Sequence, residues 1–364
     1  MYSASVSVGA EGSWYTRSEM RHAVFFAVAL LVLLAASRCD YRLFVKGKFF
    51  GWPSAVLIFT AMMLCVLVFI PGAGHSVGGR YRWLRFGPDR FSIGLQPSEI
   101  LKYSVVIFLA AQLTRRNVNE KSFLSFLCSL VLVASCTGLV ITQDLGMGLI
   151  VCFAGLLTMY VAGVRWYYLA PLVPAGAAAA CMFVMNSPGK LQRIMAVMDP
   201  WNEANPASYQ AREAIKAACS GGLSGRGLGM GVRKLGFLPE DNTDFIFATF
   251  CEEWGVLGAS LLVGLLALWL WKVRCISQNS TDCFGTVLAA SLGIVIAFQA
   301  LLHIAVNLVF LPPTGISLPF ISAGGTSLVL TSFATGLAVS VSVKSNVPKQ
   351  CSSLKTGYGE YSYG

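Results

Sequence analysis

An all-α, polytopic membrane protein is the fold class predicted for this 364-residue chain. Three observations predict it. Hydrophobic residues make up 55% of the chain and charged residues only 12%, about half the charged share of a soluble domain. Mean hydropathy is +0.66. Apolar runs of about 18 or more residues, each long enough to cross a bilayer core, recur along the whole length. The runs are solid rather than alternating, which excludes a membrane β-barrel.

Nine spans are read, at 22–38, 52–71, 97–114, 122–141, 145–163, 167–185, 245–272, 283–311 and 318–343. The first ends in Arg38, with Arg42, Lys46 and Lys48 beyond it. Pro97 opens the third, a first-turn position that needs no N–H, and Arg115, Arg116 and Lys121 follow that span. Asp144 is placed to N-cap the fifth, which Arg165 follows. Asp244 opens the seventh, and Lys272 and Arg274 close it. Lys344 and Lys349 follow the ninth. Cations thus collect after the odd-numbered spans, so those ends face the cytoplasm. The N-terminus is then outside and the C-terminus inside. Residues 1–343 read as one membrane domain, with an extracytoplasmic loop at 186–244; 344–364 read as a polar, disordered cytoplasmic tail.

Two outer loops carry unusual charge. Residues 72–96 hold Arg80, Arg82, Arg85 and Arg90, against the rule for short loops. The long loop holds seven cations, Lys190, Arg193, Arg212, Lys216, Arg226, Arg233 and Lys234. The net charge of +10 therefore suits lipid headgroups or an anionic lipid-linked substrate rather than nucleic acid. Within the long loop, 191–198 is apolar on one face and is expected at the membrane interface; 207–219 is expected as a second short helix. The glycine-rich run from Ser220 to Gly231 follows no strand and faces outward, so a dinucleotide site is rejected. Backbone close to a ligand, or a re-entrant turn, is the expectation there. The eleven scattered cysteines form no CxxC pair and read as small apolar fillers, not a zinc site or a disulfide framework.

Ionisable groups at membrane depth mark function or structure. Glu240, Asp241 and Asp244 cluster at the mouth of the seventh span. Asp244, Ala248 and Glu252 share a helix face, which suggests a polar cavity. Glu99 and Lys102, three residues apart, can pair, either structurally or at a cavity where Lys102 would meet a phosphate. His303 reads as a hydrogen-bonded contact between helices. Between the last two spans, 311–325 carries Pro312, Pro313, Pro319, Gly315, Gly324 and Gly325. That is broken, re-entrant backbone, tolerated only where protein or a cavity covers it.

Together these segments resemble the SEDS family (shape, elongation, division and sporulation; FtsW, RodA and SpoVE). The motifs run in family order: Arg82-Trp83 with Gly87-Pro88, Gln96-Pro97-Ser98-Glu99 with Lys102, Gln143-Asp144-Leu145-Gly146, Arg193 through Asp199-Pro200-Trp201, Tyr209-Gln210, Ser220-Gly221-Gly222, Leu238-Pro239-Glu240 with Thr243-Asp244-Phe245-Ile246, Glu252-Glu253, and Leu318-Pro319-Phe320 with Gly324-Gly325. Asp199-Pro200-Trp201 favours the FtsW-like, division branch. Three positions depart: Asn242 stands where the family has His, His303 where it has Asn, and Ala323 where it has Tyr. Met1-Tyr2-Ser3-Ala4-Ser5 resembles the end of the family's first span, so nine spans in place of ten are expected from a late start or a shortened lineage.

The resemblance implies an inverting peptidoglycan glycosyltransferase that polymerises lipid II, the undecaprenyl-diphosphate-linked disaccharide peptide, on the outer face of the cytoplasmic membrane. It implies Asp244 as the essential aspartate. Arg80, Arg82, Lys102, Arg193, Arg233 and Lys234 are then candidates to hold the diphosphate, with Glu99 and Glu252 as further substrate-site residues. A divalent cation (Mg or Mn) is an expected cofactor and a nucleotide is not. A class B penicillin-binding protein transpeptidase and other divisome or elongasome membrane proteins are the expected partners. A lipid II or polyprenyl-diphosphate flippase, and a non-catalytic scaffold for the transpeptidase, are the rival readings.

Overall fold

The computed structural model of the chain describes residues 18–46, 52–70, 74–77, 80–86, 93–115, 123–232 and 243–345. The helices fall where the apolar runs put them: α1 (Ser18–Arg38), α2 (Trp52–Leu67), α3 (Pro97–Leu113), α4 (Phe123–Ile141), α5 (Leu145–Val161), α6 (Trp166–Leu169) and α7 (Leu172–Met185). After them come α8 (Pro188–Met198), α9 (Pro206–Ser220), α10 (Ile246–Asn279), α11 (Cys283–Asn307) and α12 (Gly325–Lys344). Among the described residues, five stretches are long and apolar enough to span a bilayer: Phe123–Ile141, Trp166–Met185, Ile246–Asn279, Cys283–Asn307 and Gly325–Lys344. Shorter apolar helices cover His22–Arg38, Pro53–Leu67 and Leu145–Val161. The protein is a multi-pass helical membrane protein.

Two differences from the sequence reading have physical causes. The basic loop 72–96 contains strands, β1 (Gly74–Val77), β2 (Arg80–Phe86) and β3 (Ile93–Leu95), in an antiparallel sheet of order β1-β2-β3. Three strands this short give too little alternation to read from sequence. The last two spans are shorter than expected, because α11 stops at Asn307 and α12 starts only at Gly325. The prolines at 312, 313 and 319 deny the chain its helical N–H donors between them. Residues 346–364, the bulk of the expected tail, lie outside the described residues, as do 1–17.

The core is organised around α3, whose side chains are buried from Pro97 to Leu113 with only Ile100 and Gln112 partly open. It packs against α2, α5 and α11. Close helix approach uses small residues, as expected where lipid removes the hydrophobic drive between helices. Gly336 of α12 lies under Leu33 and Ala36 of α1, and Gly293 of α11 under Val273 of α10. The outward faces keep large apolar side chains such as Leu31, Phe59, Val131, Val173, Leu257 and Leu261 exposed, as lipid-facing surfaces do. On α8, Leu191, Met195 and Met198 are exposed while Ala196 is buried, matching the expected interfacial helix.

At the opposite end from the cavity described below, the link between α1 and α2 is latched to the start of α11. Tyr41 donates to Asp282, and the Arg42 guanidinium sits 3.6 Å from the same carboxylate. Burial, and then the Asp282 carboxylate, push the Tyr41 phenol up to about 12.

Candidate active site

Four helices begin at one cavity. The N-termini of α3, α10 and α12 border it through Gln96, Phe245 and Gly324, and that of α5 lies beside it through Asp144. The cavity has a volume of about 470 Å³. Its wall also includes Arg82 and Trp83 of β2, Arg193 of α8, Gln210 of α9, Thr243 and Asp244 before α10, and Pro313, Thr314, Gly315 and Ser317. Neither Gln96, Phe245 nor Gly324 caps its helix with a side chain. The positive ends of several helix dipoles therefore face the space, an arrangement that attracts anions.

The charged groups meet at Gly315. A Cβ there would lie 3.1 Å from Arg82 Nη1, 3.3 Å from Asp244 Oδ2 and 3.9 Å from Asp144 Oδ2. Only a residue without a side chain leaves that junction open. Arg82 is held by strand geometry: Leu84, two residues along and so on the same face, is buried and anchors β2. Its Nη1 lies 3.0 Å from Asp144 Oδ2, while Asp144 Oδ1 caps α5 by accepting from the Gly146 and Met147 amides. The expected N-cap is therefore present, and it also orients an arginine. Arg193 reaches the same loop, donating to the Pro313 carbonyl at 2.9 Å. Arg82 Nε and Thr314 Oγ1 are buried without a hydrogen-bond partner among the described residues. Such orphans in a native fold call for a ligand or ordered water.

Below the cavity lies a buried polar network. Lys102 Nζ donates to Glu99 Oε2 at 2.9 Å and to Gln299 Oε1 at 2.6 Å. Gln299 in turn donates to the Ser317 carbonyl, and Ser317 Oγ contacts Glu99 and Ser327. Ser317 and Ser327 line the cavity; Glu99 and Lys102 do not. Lys102 is 0% exposed, so the structure corrects the expectation that it meets a phosphate. The pairing of Glu99 with Lys102 is as expected.

Glu252 is corrected too. Asp244 lies before α10 begins, so the two carboxylates do not line one polar face. Glu252 turns to the glycine-rich run, accepting from Val232 N at 3.0 Å and Ser220 Oγ at 3.4 Å, with Arg226 at 3.7 Å. The run docks on the protein's own helix. Gly255 breaks α10 at φ 63°, ψ −164°. The Arg226 and Gly227 amides donate to the Glu252 and Glu253 carbonyls, and the Val256 and Leu257 amides donate to the Gly222 and Leu223 carbonyls. Gly225 sits at φ +79°, and a Cβ on it would lie 2.0 Å from the Glu253 carbonyl oxygen. Gly225→Ala is expected to detach this clasp, costing about 1–3 kcal/mol from the left-handed backbone alone; faster protease nicking within 220–232 is the measurement.

Of the other expected site residues, Arg80 lies in β2 with its side chain undescribed, and Arg233, Lys234, Glu240, Asp241 and Asn242 fall outside the described residues. Sequence reasoning singled out neither Thr314 nor Asn307. Asn307 had a signal: it stands four residues from His303 inside an apolar span, the spacing that puts two polar groups on one helix face.

Residues 1–347 match the family model of the FtsW, RodA and SpoVE cell cycle proteins. The chain belongs to that family. Relatives of known name agree. A probable peptidoglycan glycosyltransferase FtsW of Thioalkalivibrio sulfidiphilus is 33% identical over 321 residues, 86% of this chain and 78% of that one. The stage V sporulation protein E of Bacillus subtilis is 33% identical over 324 residues, 88% of this chain and 86% of that one. Among solved structures, Thermus thermophilus rod shape determining protein RodA superposes with a TM-score of 0.65 at 24% identity, covering 90% of this chain and 88% of that one. A chain from a peptidoglycan synthase complex gives 0.72 at 24%, covering 90% of each. These likenesses show a shared fold.

His303 lies behind Asp244 rather than in the cavity, and Ala323 lies in the segment just before α12. Among the described residues, which do not include Glu240 and Asp241, the donors present do not suit a resident metal. Asp144 is committed to Arg82 and the α5 amides, and the described residues hold no group of three His, Cys, Asp or Glu side chains suited to a metal ion.

Proposed function

We propose that this protein is a peptidoglycan glycosyltransferase that polymerises lipid II, with Asp244 as general base. One observation carries the reading: Asp244 stands across Gly315 from Arg82, in a cavity that Arg193 and the N-termini of α3 and α12 make attractive to anions. The acceptor sugar's 4-hydroxyl attacks the anomeric carbon of the donor. The bond to the diphosphate breaks with inversion, its electron pair leaving on the diphosphate. The hydroxyl proton passes to the Asp244 carboxylate, which suits a positioned base. Arg82, Arg193 and the helix dipoles offset the charge that develops on the leaving group. The donor carries its own activated leaving group, so no nucleotide is required.

Orientation is supported by charge. The helices that start at the cavity run to cations at their far ends: α3 to Arg115, α5 to Arg165, α10 to Lys272 and Arg274, α12 to Lys344. By the positive-inside rule the cavity then opens on the extracytoplasmic side and the C-terminus is cytoplasmic. A flippase needs a polar route through the bilayer. Here the polar network runs past Lys102 only to Tyr103 and Thr331, and beyond it α3 is buried and apolar from Val105 to Ala111. We assign a class B penicillin-binding protein as the partner, which would crosslink the strands.

Polymerisation of purified lipid II, read as glycan strands on a gel, tests the reading. Wild type should make strands. Arg82→Gln and Arg193→Gln should each lower kcat/KM by about 10- to 100-fold, the worth of a charge-assisted hydrogen bond of about 1.5–3 kcal/mol. Unchanged kcat/KM in both would remove the arginines from diphosphate binding.

A further inference from the structure

The backbone that carries Asp244 is held from outside its own segment. Asn307, 0% exposed at the end of α11, donates through Nδ2 to the Asp244 carbonyl at 2.9 Å and accepts through Oδ1 from the Ala248 amide at 2.9 Å. Phe245 supplies no side-chain cap to α10; Asn307 fills that role across the helix pair. The carboxamide's orientation matters, because reversing it would set N–H against N–H and oxygen against oxygen.

His303 adds to that constraint: its main-chain carbonyl accepts from Asn307 Nδ2 at 2.9 Å, and its ring makes a further contact. Its Nδ1 lies 2.8 Å from the Ile316 carbonyl, which can only accept, so the proton sits on Nδ1 and Nε2 is left as an acceptor. That Nε2 lies 3.1 Å from Asn307 Nδ2, so the imidazole distinguishes the two ends of the carboxamide. Ile316 adjoins Gly315 and Ser317 of the cavity wall, and Ser322 from the same segment donates to the Thr243 carbonyl at 2.9 Å. The loop between α11 and α12 and the start of α10 are thereby tied through three side chains, His303, Asn307 and Ser322.

We infer that His303 and Asn307 are positioning residues for Asp244. Asn307 caps α10 and fixes the aspartate's backbone, while His303 selects the Asn307 rotamer and ties it to the cavity loop. Neither touches the space where substrate would lie. The inference rests on the glycosyltransferase reading.

The test is a double-mutant cycle in the lipid II polymerisation assay, with wild type and Asp244→Asn alongside. His303→Leu and Asn307→Leu should each lower kcat about 10- to 100-fold, the scale of a misplacement of about 1 Å, with KM for lipid II little changed. The double variant should lose no more than the worse single, since both break one chain of contacts. His303→Gln should restore most of kcat, because its carboxamide can donate to Ile316 and accept from Asn307. Asn307→Asp keeps the acceptor for Ala248 but has no donor for Asp244, and should stay slow. If the leucine variants do not accumulate, these two polar variants carry the comparison.

Wild-type kcat in His303→Leu or Asn307→Leu, losses confined to KM, additive losses in the double, or no recovery with His303→Gln would each overturn the inference while leaving the enzyme reading intact. A wild type that makes no strands would reject the glycosyltransferase reading, and the inference with it.

Discussion

Asp244→Asn is expected to abolish strand synthesis, with kcat lower by about 10²–10⁴-fold, the usual worth of a positioned general base. The substitution keeps the shape and removes the proton acceptor. The fold should survive it, because the main chain at the start of α10 is held by side chains from other segments: Asn307 binds the Asp244 carbonyl and Ser322 binds the neighbouring Thr243 carbonyl. Lipid II polymerisation checks the first part, and an unaltered melting temperature in detergent the second. Strands made at the wild-type rate would take Asp244 out of the chemistry. The same variant bears on the scaffold reading, since a protein whose role is to seat a partner should still bind it after losing only a proton acceptor.

Lys102→Met should produce the largest loss of stability. The ion pair with Glu99 is almost wholly removed from solvent, at side-chain exposures of 0% and 2%. Removing the cation leaves a buried carboxylate with, among the described residues, only the Ser317 hydroxyl donating to it. Breaking one half of a buried pair costs about 3–5 kcal/mol, against about 0–1 kcal/mol for an exposed pair. Denaturant unfolding should show the loss, and activity should fall with it, because Ser317 connects the pair to the cavity. The double variant Glu99→Gln, Lys102→Met should recover most of the stability, since no unpaired charge then remains. A single variant as stable as wild type would mean that water reaches the pair.

The relation between sequence and structure differs from element to element. The bilayer demands length and apolarity of each span independently, so the runs read at 122–141, 145–163 and 283–311 were legible one at a time, although the last helix stops at Asn307. Asp144 as a cap was legible for the same reason: capping is settled within four residues. The β-sheet was not, because its strands are three to seven residues long and draw their stability from pairing with one another. Glu252 illustrates a periodicity argument that failed at a single residue. Eight residues from Asp244 is two turns of an unbroken helix, but Asp244 lies before α10 starts, and the glycine-rich run delivers its own amide to the Glu252 carboxylate.

The candidate site divides in the same way. Composition and spacing by themselves determined a multi-pass membrane protein, its basic loops, the broken segment 311–325, and Asp244 as the residue at the mouth of a span. Those properties depend on local chain chemistry and on the cost of charge in hydrocarbon. Only the tertiary structure decided which charges share a space. Gly315 is the point where Arg82, Asp144 and Asp244 meet, although 62 residues separate Arg82 from Asp144 and 100 separate Asp144 from Asp244. Lys102 and Glu252, equally charged and equally deep by sequence, are instead consumed by the fold. A charge buried in a low-dielectric interior must be paired. Whether its partner is the protein or a substrate depends on which helix ends the packing brings together, and no local pattern carries that.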